Sequence, residues 1–201
     1  MQLNAFIFDI GNVLLRFDFN VALRKLQAHD DPAAERVLDL LEPIKNRYES
    51  GGTTRAEFQE QARAVLRYTG SDADFASAWQ DIFTPNVPML DLVESLHGRF
   101  PLYLLSNTSD LHLDYIVERY PFFARFTDAV YSYKVRAAKP SREIYEIAER
   151  QFGVVAGETL FIDDLLVNVE AARDACFLAH HYHYERHGAL LEELAGAGVH
   201  P

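Results

Sequence analysis

Short apolar runs alternate with helical patterns along most of this chain. The first run, Leu3–Phe8, ends on Asp9, Gly11 and Asn12, and reads as a strand buried on both faces followed by a loop. Pro101–Leu105 ends on Ser106, Asn107 and Thr108. Ala129–Tyr133 is a weaker run, Thr159–Ile162 ends on Asp163 and Asp164, and Cys176–Ala179 is the fifth. Between them Met89–Leu96, Leu111–Val117, Arg142–Phe152 (with Ser141 as N-cap) and Leu165–Asp174 repeat apolar residues at helical spacing. This alternation predicts an α/β fold, a parallel sheet covered by helices on both faces. The polar strand ends then collect at the carboxyl edge of the sheet, where open α/β folds bind ligands.

Residues 17–87 break the alternation. They hold four helical patterns, Val21–Ala28, Ala33–Tyr48, Arg55–Tyr68 and Asp72–Phe83, and no convincing strand. Turn signals stand between them at Asp30-Asp31-Pro32, Ser50-Gly51-Gly52 and Thr69-Gly70-Ser71. The prediction is a helical insert, 17–87, lying over the sheet edge of a core made from residues 1–16 and 88–201.

Composition narrows the function. At 201 residues the chain makes one domain of ordinary size with a smaller insert, and its core needs no disulfides. The net charge of −11 argues against nucleic acid and membrane lipid as partners. An anionic substrate then needs a metal ion or a local cationic pocket. Cys176 is the lone cysteine, so no intrachain disulfide forms. With no signal-peptide pattern at the start and no run of 18 apolar residues, the expected address is the cytoplasm.

Each strand end carries candidate chemistry beside a plainer reading. Asp9 makes a turn or acts as a reactive carboxylate. The Ser106-Asn107-Thr108 turn caps the next helix, or its hydroxyl and N–H groups hold phosphate oxygens. Lys139, followed by Pro140, is a solvated charge or neutralises an anion. Asp163 and Asp164 form a helix start, or a repelling pair that a divalent cation relieves.

Taken in order, these residues resemble the motifs of the haloacid dehalogenase-like hydrolase superfamily. Asp9 matches its first motif, Ser106-Asn107 the second, Lys139 the third, and Asp163-Asp164 with Asn168 the fourth. The segments FDIGNVLLRFDFN, YESGGTTRAEF, LLSNTSD and FIDDLLVNVEAA look like the subgroup containing bacterial α-D-glucose-1-phosphate phosphatase. The resemblance implies a Rossmann-like three-layer core with an inserted all-helical C1-type cap. It also implies a magnesium-dependent phosphatase of small phosphorylated metabolites, such as a sugar 1-phosphate. Asp9 would be the nucleophile, forming an aspartyl-phosphate. Asp9, the Gly11 carbonyl, Asp164 and Asp163 would hold Mg2+, with Asp164 the direct ligand. Ser106, Asn107 and Lys139 would bind the phosphoryl oxygens, with Thr108 and Asn168 in support. A homodimer is compatible with this reading.

Gly11 departs from the superfamily's pattern, in which most phosphatases carry a second Asp there as general acid and base. Its loss predicts a steep dependence of rate on leaving-group acidity. Two other readings follow from the same gap: a 2-haloacid dehalogenase-type hydrolase, which the acidic pair disfavours, and a non-enzymatic binding protein of this fold. Glu49, in the YESGG turn, is a surface residue near a helix end, or projects toward the sheet edge to supply a proton or bind a sugar hydroxyl. Arg16 and Asp18 face the substrate or form a hinge. His180, His181, His183 and His187 read as a solvated loop, not a metal cluster. Phe75, Trp79 and Phe83 read as a core face of the insert, and Cys176 as an inert core residue.

Overall fold

The computed structural model describes residues 2–26 and 34–200. Five strands form one parallel sheet: β1 (Ala5–Phe8), β4 (Leu102–Ser106), β5 (Asp128–Tyr131), β6 (Thr159–Asp163) and β7 (Leu178–His181), in the order β5-β4-β1-β6-β7. Alternate residues of β1 supply opposite faces. Phe6 and Phe8 pack with α5 (Val87–Leu96), α6 (Asp110–Arg119) and α10 (His187–Gly196) on one side. Ala5 and Ile7 pack with α8 (Arg142–Phe152) and α9 (Leu166–Asp174) on the other. Burial on both faces is why these strands are unbroken apolar runs. The Ser141 hydroxyl caps α8 by accepting from the Glu143 N–H, as its sequence predicts.

From β1 the chain moves to β4 and β5 on one side, and from β6 it moves to β7 on the other. The crevice between the carboxyl ends of β1 and β6 is therefore the switch point of the sheet, where α/β folds take their ligands.

The insert contains α1 (Phe19–Leu26), α2 (Ala34–Glu49), α3 (Arg55–Leu66) and α4 (Asp72–Gln80), which share an aromatic core of Tyr48, Phe58, Phe75 and Trp79. A capping box starts α3: Thr54 accepts from the Glu57 N–H, and the Glu57 carboxylate accepts from the Thr54 N–H. The expectation of a strandless insert is corrected at its two ends. β2 (Leu15–Phe17) and β3 (Phe83–Pro85) pair antiparallel and form the neck between core and helices. Consequently α4 stops at Gln80, and Phe83 lies in a strand instead of on a helical face. The turn signal at Asp30-Asp31-Pro32 lies outside the described residues.

The fifth strand begins two residues later than its apolar run. Cys176, expected as an inert core residue, is exposed and adopts φ 69°, the turn that feeds β7. Among the four histidines, His180 and His181 belong to β7, and the His180 ring pairs with Glu193 at 2.6 Å. No helix among the described residues is long and apolar enough to cross a membrane.

His112 of α6 joins core to insert. It is 4% exposed, stacks on Trp79, and shares a hydrogen bond with the Trp79 carbonyl at 3.1 Å. Burial pushes its pKa down to about 4, so it is neutral in the folded protein at pH 7. In the unfolded chain the ring titrates near its ordinary value of about 6.5. This contribution to stability is complete above that value and is lost as pH falls toward 4, by roughly 3 kcal/mol in all. Urea unfolding at pH 7 and pH 5 checks this: His112→Gln is expected to flatten the acid-side loss, and an unchanged loss would refute it.

Candidate active site

The nucleophile candidate, Asp9, follows β1 directly. Its N–H extends the ladder to the Ile162 carbonyl at 2.9 Å, which fixes the residue beside the end of β6. Asp163 ends β6 and Asp164 follows it. Carboxylate oxygens of Asp9, Asp163 and Asp164 lie within 4.8 Å of one another. The one ammonium inside this group is Lys139, whose Nζ stands 2.9 Å from Asp9 Oδ1 and 2.6 Å from Asp163 Oδ2. Lys139 also lies over the Phe161 ring, and its side chain is 1% exposed.

The two aspartates after β6 have different surroundings. Asp163 is fully buried and accepts from Lys139, from the Asn168 amide and from the Leu165 N–H. Its oxygens are already engaged in holding Lys139. Asp164 accepts from Asn12 Nδ2 at 2.9 Å and lines the open cavity. Asp9 Oδ1, although ion-paired, receives no hydrogen bond. Nor does any backbone N–H among the described residues donate to the Gly11 carbonyl, because Asn12 and Leu15 bond around it. Asp9, Asp164 and the Gly11 carbonyl are therefore the oxygens still available to a hard cation, which takes oxygen ligands.

Charge balance gives the physical need for one. Burial pushes the Asp9 carboxyl well above its ordinary range; Lys139 opposes this, while Asp163 and Asp164 add to it. Burial likewise raises Asp164. Burial alone would lower Lys139, but Asp163 and Asp9 outweigh it and keep the ammonium charged. With all three carboxylates ionised, one ammonium leaves two negative charges unbalanced, which one divalent cation neutralises.

The second motif holds the third in place. The Asn107 side chain donates to the Lys139 carbonyl at 2.8 Å and accepts from the Lys139 N–H at 2.9 Å. Its amide is thus occupied in positioning Lys139. Ser106 is buried beside Asp9, where its hydroxyl favours the ionised carboxylate. The Thr108 N–H donates to Ser132 Oγ at 3.0 Å, and Asn168 orients Asp163 rather than Lys139 directly.

A cavity of about 480 Å³ opens above these groups. Its core wall includes Asp9, Ser106, Lys139 and Asp164; its opposite wall comes from α1 and α2, with Phe19, Lys45, Asn46 and Glu49. Sequence reasoning singled out Glu49 but not Lys45, Asn46 or Asn12. Arg16 and Asp18 stand outside: Arg16 is exposed over the Tyr184 ring, and Asp18 binds Asn20. Among the described residues the histidines join no metal-ligating group.

Relatives share this architecture. The chain is 25% identical to D-ribitol-5-phosphate phosphatase of Bacteroides thetaiotaomicron over 182 residues, covering 85% of this chain and 87% of the relative. A HAD family enzyme of the same organism, solved with magnesium and inorganic phosphate, superposes with a TM-score of 0.79 at 26% identity, over 89% of this chain and 93% of that one. L-2-haloacid dehalogenase of Xanthobacter autotrophicus matches with a TM-score of 0.65 at 19% identity, over 89% and 76%, and shares the fold. The haloacid dehalogenase-like hydrolase family model matches residues 3–175, from before the Asp9 strand to beyond Asn168, and the chain belongs to that family of hydrolases.

Proposed function

We propose that the protein is a magnesium-dependent phosphatase of a small phosphorylated sugar or sugar alcohol. The observation that carries this reading is the excess of carboxylate over ammonium around Asp9, at the floor of a cavity sized for a small metabolite. A carboxylate nucleophile and a phosphate ester repel each other. Magnesium held by Asp9, Asp164 and the Gly11 carbonyl supplies the charge that removes this repulsion. Asp9 attacks phosphorus in line, the ester oxygen departs, and water then cleaves the aspartyl-phosphate. Lys139 neutralises the phosphoryl oxygens, while Ser106 and the adjoining N–H groups donate to them. Asp163 and Asn107 keep the ammonium of Lys139 at the phosphoryl position. The helical insert acts as a cap whose α2 wall contacts the leaving group and excludes water.

The relative named for D-ribitol-5-phosphate acts on a primary phosphate ester, and this supports sugar alcohol phosphates as candidates beside the sugar 1-phosphates. A dehalogenase site would bring a carboxylate substrate toward three carboxylates already in mutual repulsion. The deciding experiment is a hydrolysis panel of sugar 1-, 5- and 6-phosphates, sugar alcohol phosphates and 2-chloropropionate, with magnesium and with EDTA. Phosphate release that requires magnesium is expected. Chloride release without magnesium would replace this reading with the dehalogenase one.

Asp164→Ala is expected to raise the magnesium concentration for half-maximal rate by roughly 100-fold, because it removes the one acidic ligand not engaged by Lys139. His183→Ala is the control and is expected to leave it unchanged. Calorimetric titration of magnesium reads the same difference without turnover, and equal effects of the two substitutions would displace the ion from this site.

A further inference from the structure

We infer that Glu49 of the insert is the proton donor to the leaving group, replacing the carboxyl that Gly11 omits; this rests on the phosphatase reading. The usual place for an acid holds a glycine, and it is crowded: a Cβ at Gly11 would stand 3.0 Å from the Phe17 ring of the neck strand. With no carboxyl at this position, an acid has to come from another wall of the cavity. Among the described residues, the remaining titratable side chains there are Glu42, Lys45, Glu49 and His112. Glu42 is exposed. The His112 ring is engaged with the Trp79 carbonyl and is neutral. Lys45 bonds Glu49 at 3.1 Å, leaving the Glu49 carboxyl as the one largely buried acid of the cavity outside the Asp9 cluster among the described residues, with its side chain 13% exposed.

The position of Glu49 is fixed from the core. The buried Ser132 hydroxyl donates to the Glu49 carbonyl, and the same oxygen accepts from the Thr108 N–H at 3.0 Å. One hydroxyl thus ties the end of α2 to the Ser106–Thr108 loop. Gly51, at φ 73°, lets the following turn approach the core: a Cβ there would stand 2.5 Å from the Tyr133 carbonyl oxygen. Tyr48 hydrogen-bonds Asp110, and Arg55 pairs with Asp110 and Asp114. A side chain used for proton transfer has to be held this way relative to the reacting phosphorus. Burial also holds the Glu49 carboxyl above its ordinary range, against the lowering by Lys45.

The reaction balances in two steps. Asp9 forms the bond to phosphorus as the ester P–O bond breaks, and the Glu49 carboxyl gives its proton to the departing oxygen. The resulting Glu49 carboxylate takes a proton from water as that water attacks phosphorus, the bond to Asp9 breaks, and both side chains are restored.

The test measures kcat/KM of the wild type and of Glu49→Gln, which keeps the shape, on 4-nitrophenyl phosphate and on the primary alkyl phosphate that the wild type turns over fastest. The aryl oxygen leaves without a proton, whereas the alkyl oxygen needs one. Glu49→Gln is expected to lower the ratio of alkyl to aryl rates by about 100-fold or more. An unchanged ratio, whether both rates fall together or neither falls, overturns the proposal by giving Glu49 a structural role or none. A wild type that cleaves only the aryl ester overturns it as well, because no proton donor is then acting. A wild type that cleaves neither, with magnesium present, removes the phosphatase reading and this inference with it.

Discussion

Asp9→Asn is expected to bind phosphate esters and to turn over none, with a rate loss on the order of 10³-fold or more. The exchange replaces an anionic oxygen by an amide that is a poor nucleophile and a weak ligand for a hard cation. Folding should survive it. The N–H of residue 9 still bonds the Ile162 carbonyl, and the apolar core around β1 is unchanged. One of the carboxylates crowding Asp163 and Asp164 disappears, so stability is expected to hold or rise. The measurement is single-turnover hydrolysis with mass-spectrometric detection of the aspartyl-phosphate. A wild-type rate, with deamidation of the introduced asparagine excluded by mass, would show that another group attacks phosphorus.

Lys139→Met should damage both activity and stability. The ammonium lies between Asp9 and Asp163 with 1% of its side chain exposed, and Asp163 is fully buried. Removing it leaves carboxylates buried without their cation. Breaking a buried pair in this way costs about 3–5 kcal/mol, more than the pair contributes over an apolar substitute, because the remaining charge has no partner. For a chain of this size that corresponds to a fall in Tm of roughly 10 °C. The loss is expected in metal-free buffer at pH 7 and should shrink as pH falls, since protonated carboxyls need no counter-charge. Lys134→Met, at an exposed position, is the control and should stay within about 0.5 kcal/mol. Equal stability of the two variants would mean that the buried carboxylates are already neutral without Lys139.

The two substitutions separate functions that the charge cluster combines. Asp9 is the reactive group, and its loss should cost rate but not folding. Lys139 holds the other charges in balance, and its loss should cost both. Asp163 belongs with Lys139: its oxygens accept from Lys139, Asn168 and the Leu165 N–H, which leaves Asp164 facing the cavity.

The amino-acid sequence alone determined the parallel sheet and the residues gathered at its edge. Strands buried on both faces must be continuously apolar, so β1, β4 and β6 stand out, and the polar residues that end them, Asp9, Ser106 and Asp163, are marked by position. Helix periodicity and caps located α5, α6, α8 and α9 in the same way. Elements without such a signal were not legible. β2 and β3 are three residues each, too short to show a period, and β7 starts two residues into its apolar run because Cys176 makes the turn before it. The sequence also named Glu49 without being able to place it. Glu49 near a helix end reads as well as a surface residue as one that projects toward the sheet edge. Only the docking of α2 and α3 through Tyr48, Arg55 and the Glu49 carbonyl on Ser132 brings that helix end over Asp9, and the carbonyls, hydroxyls and charges making those contacts lie 55 to 83 residues from their partners. A local pattern records which residues share a helix face; which surface that face meets is decided by contacts distant in the chain.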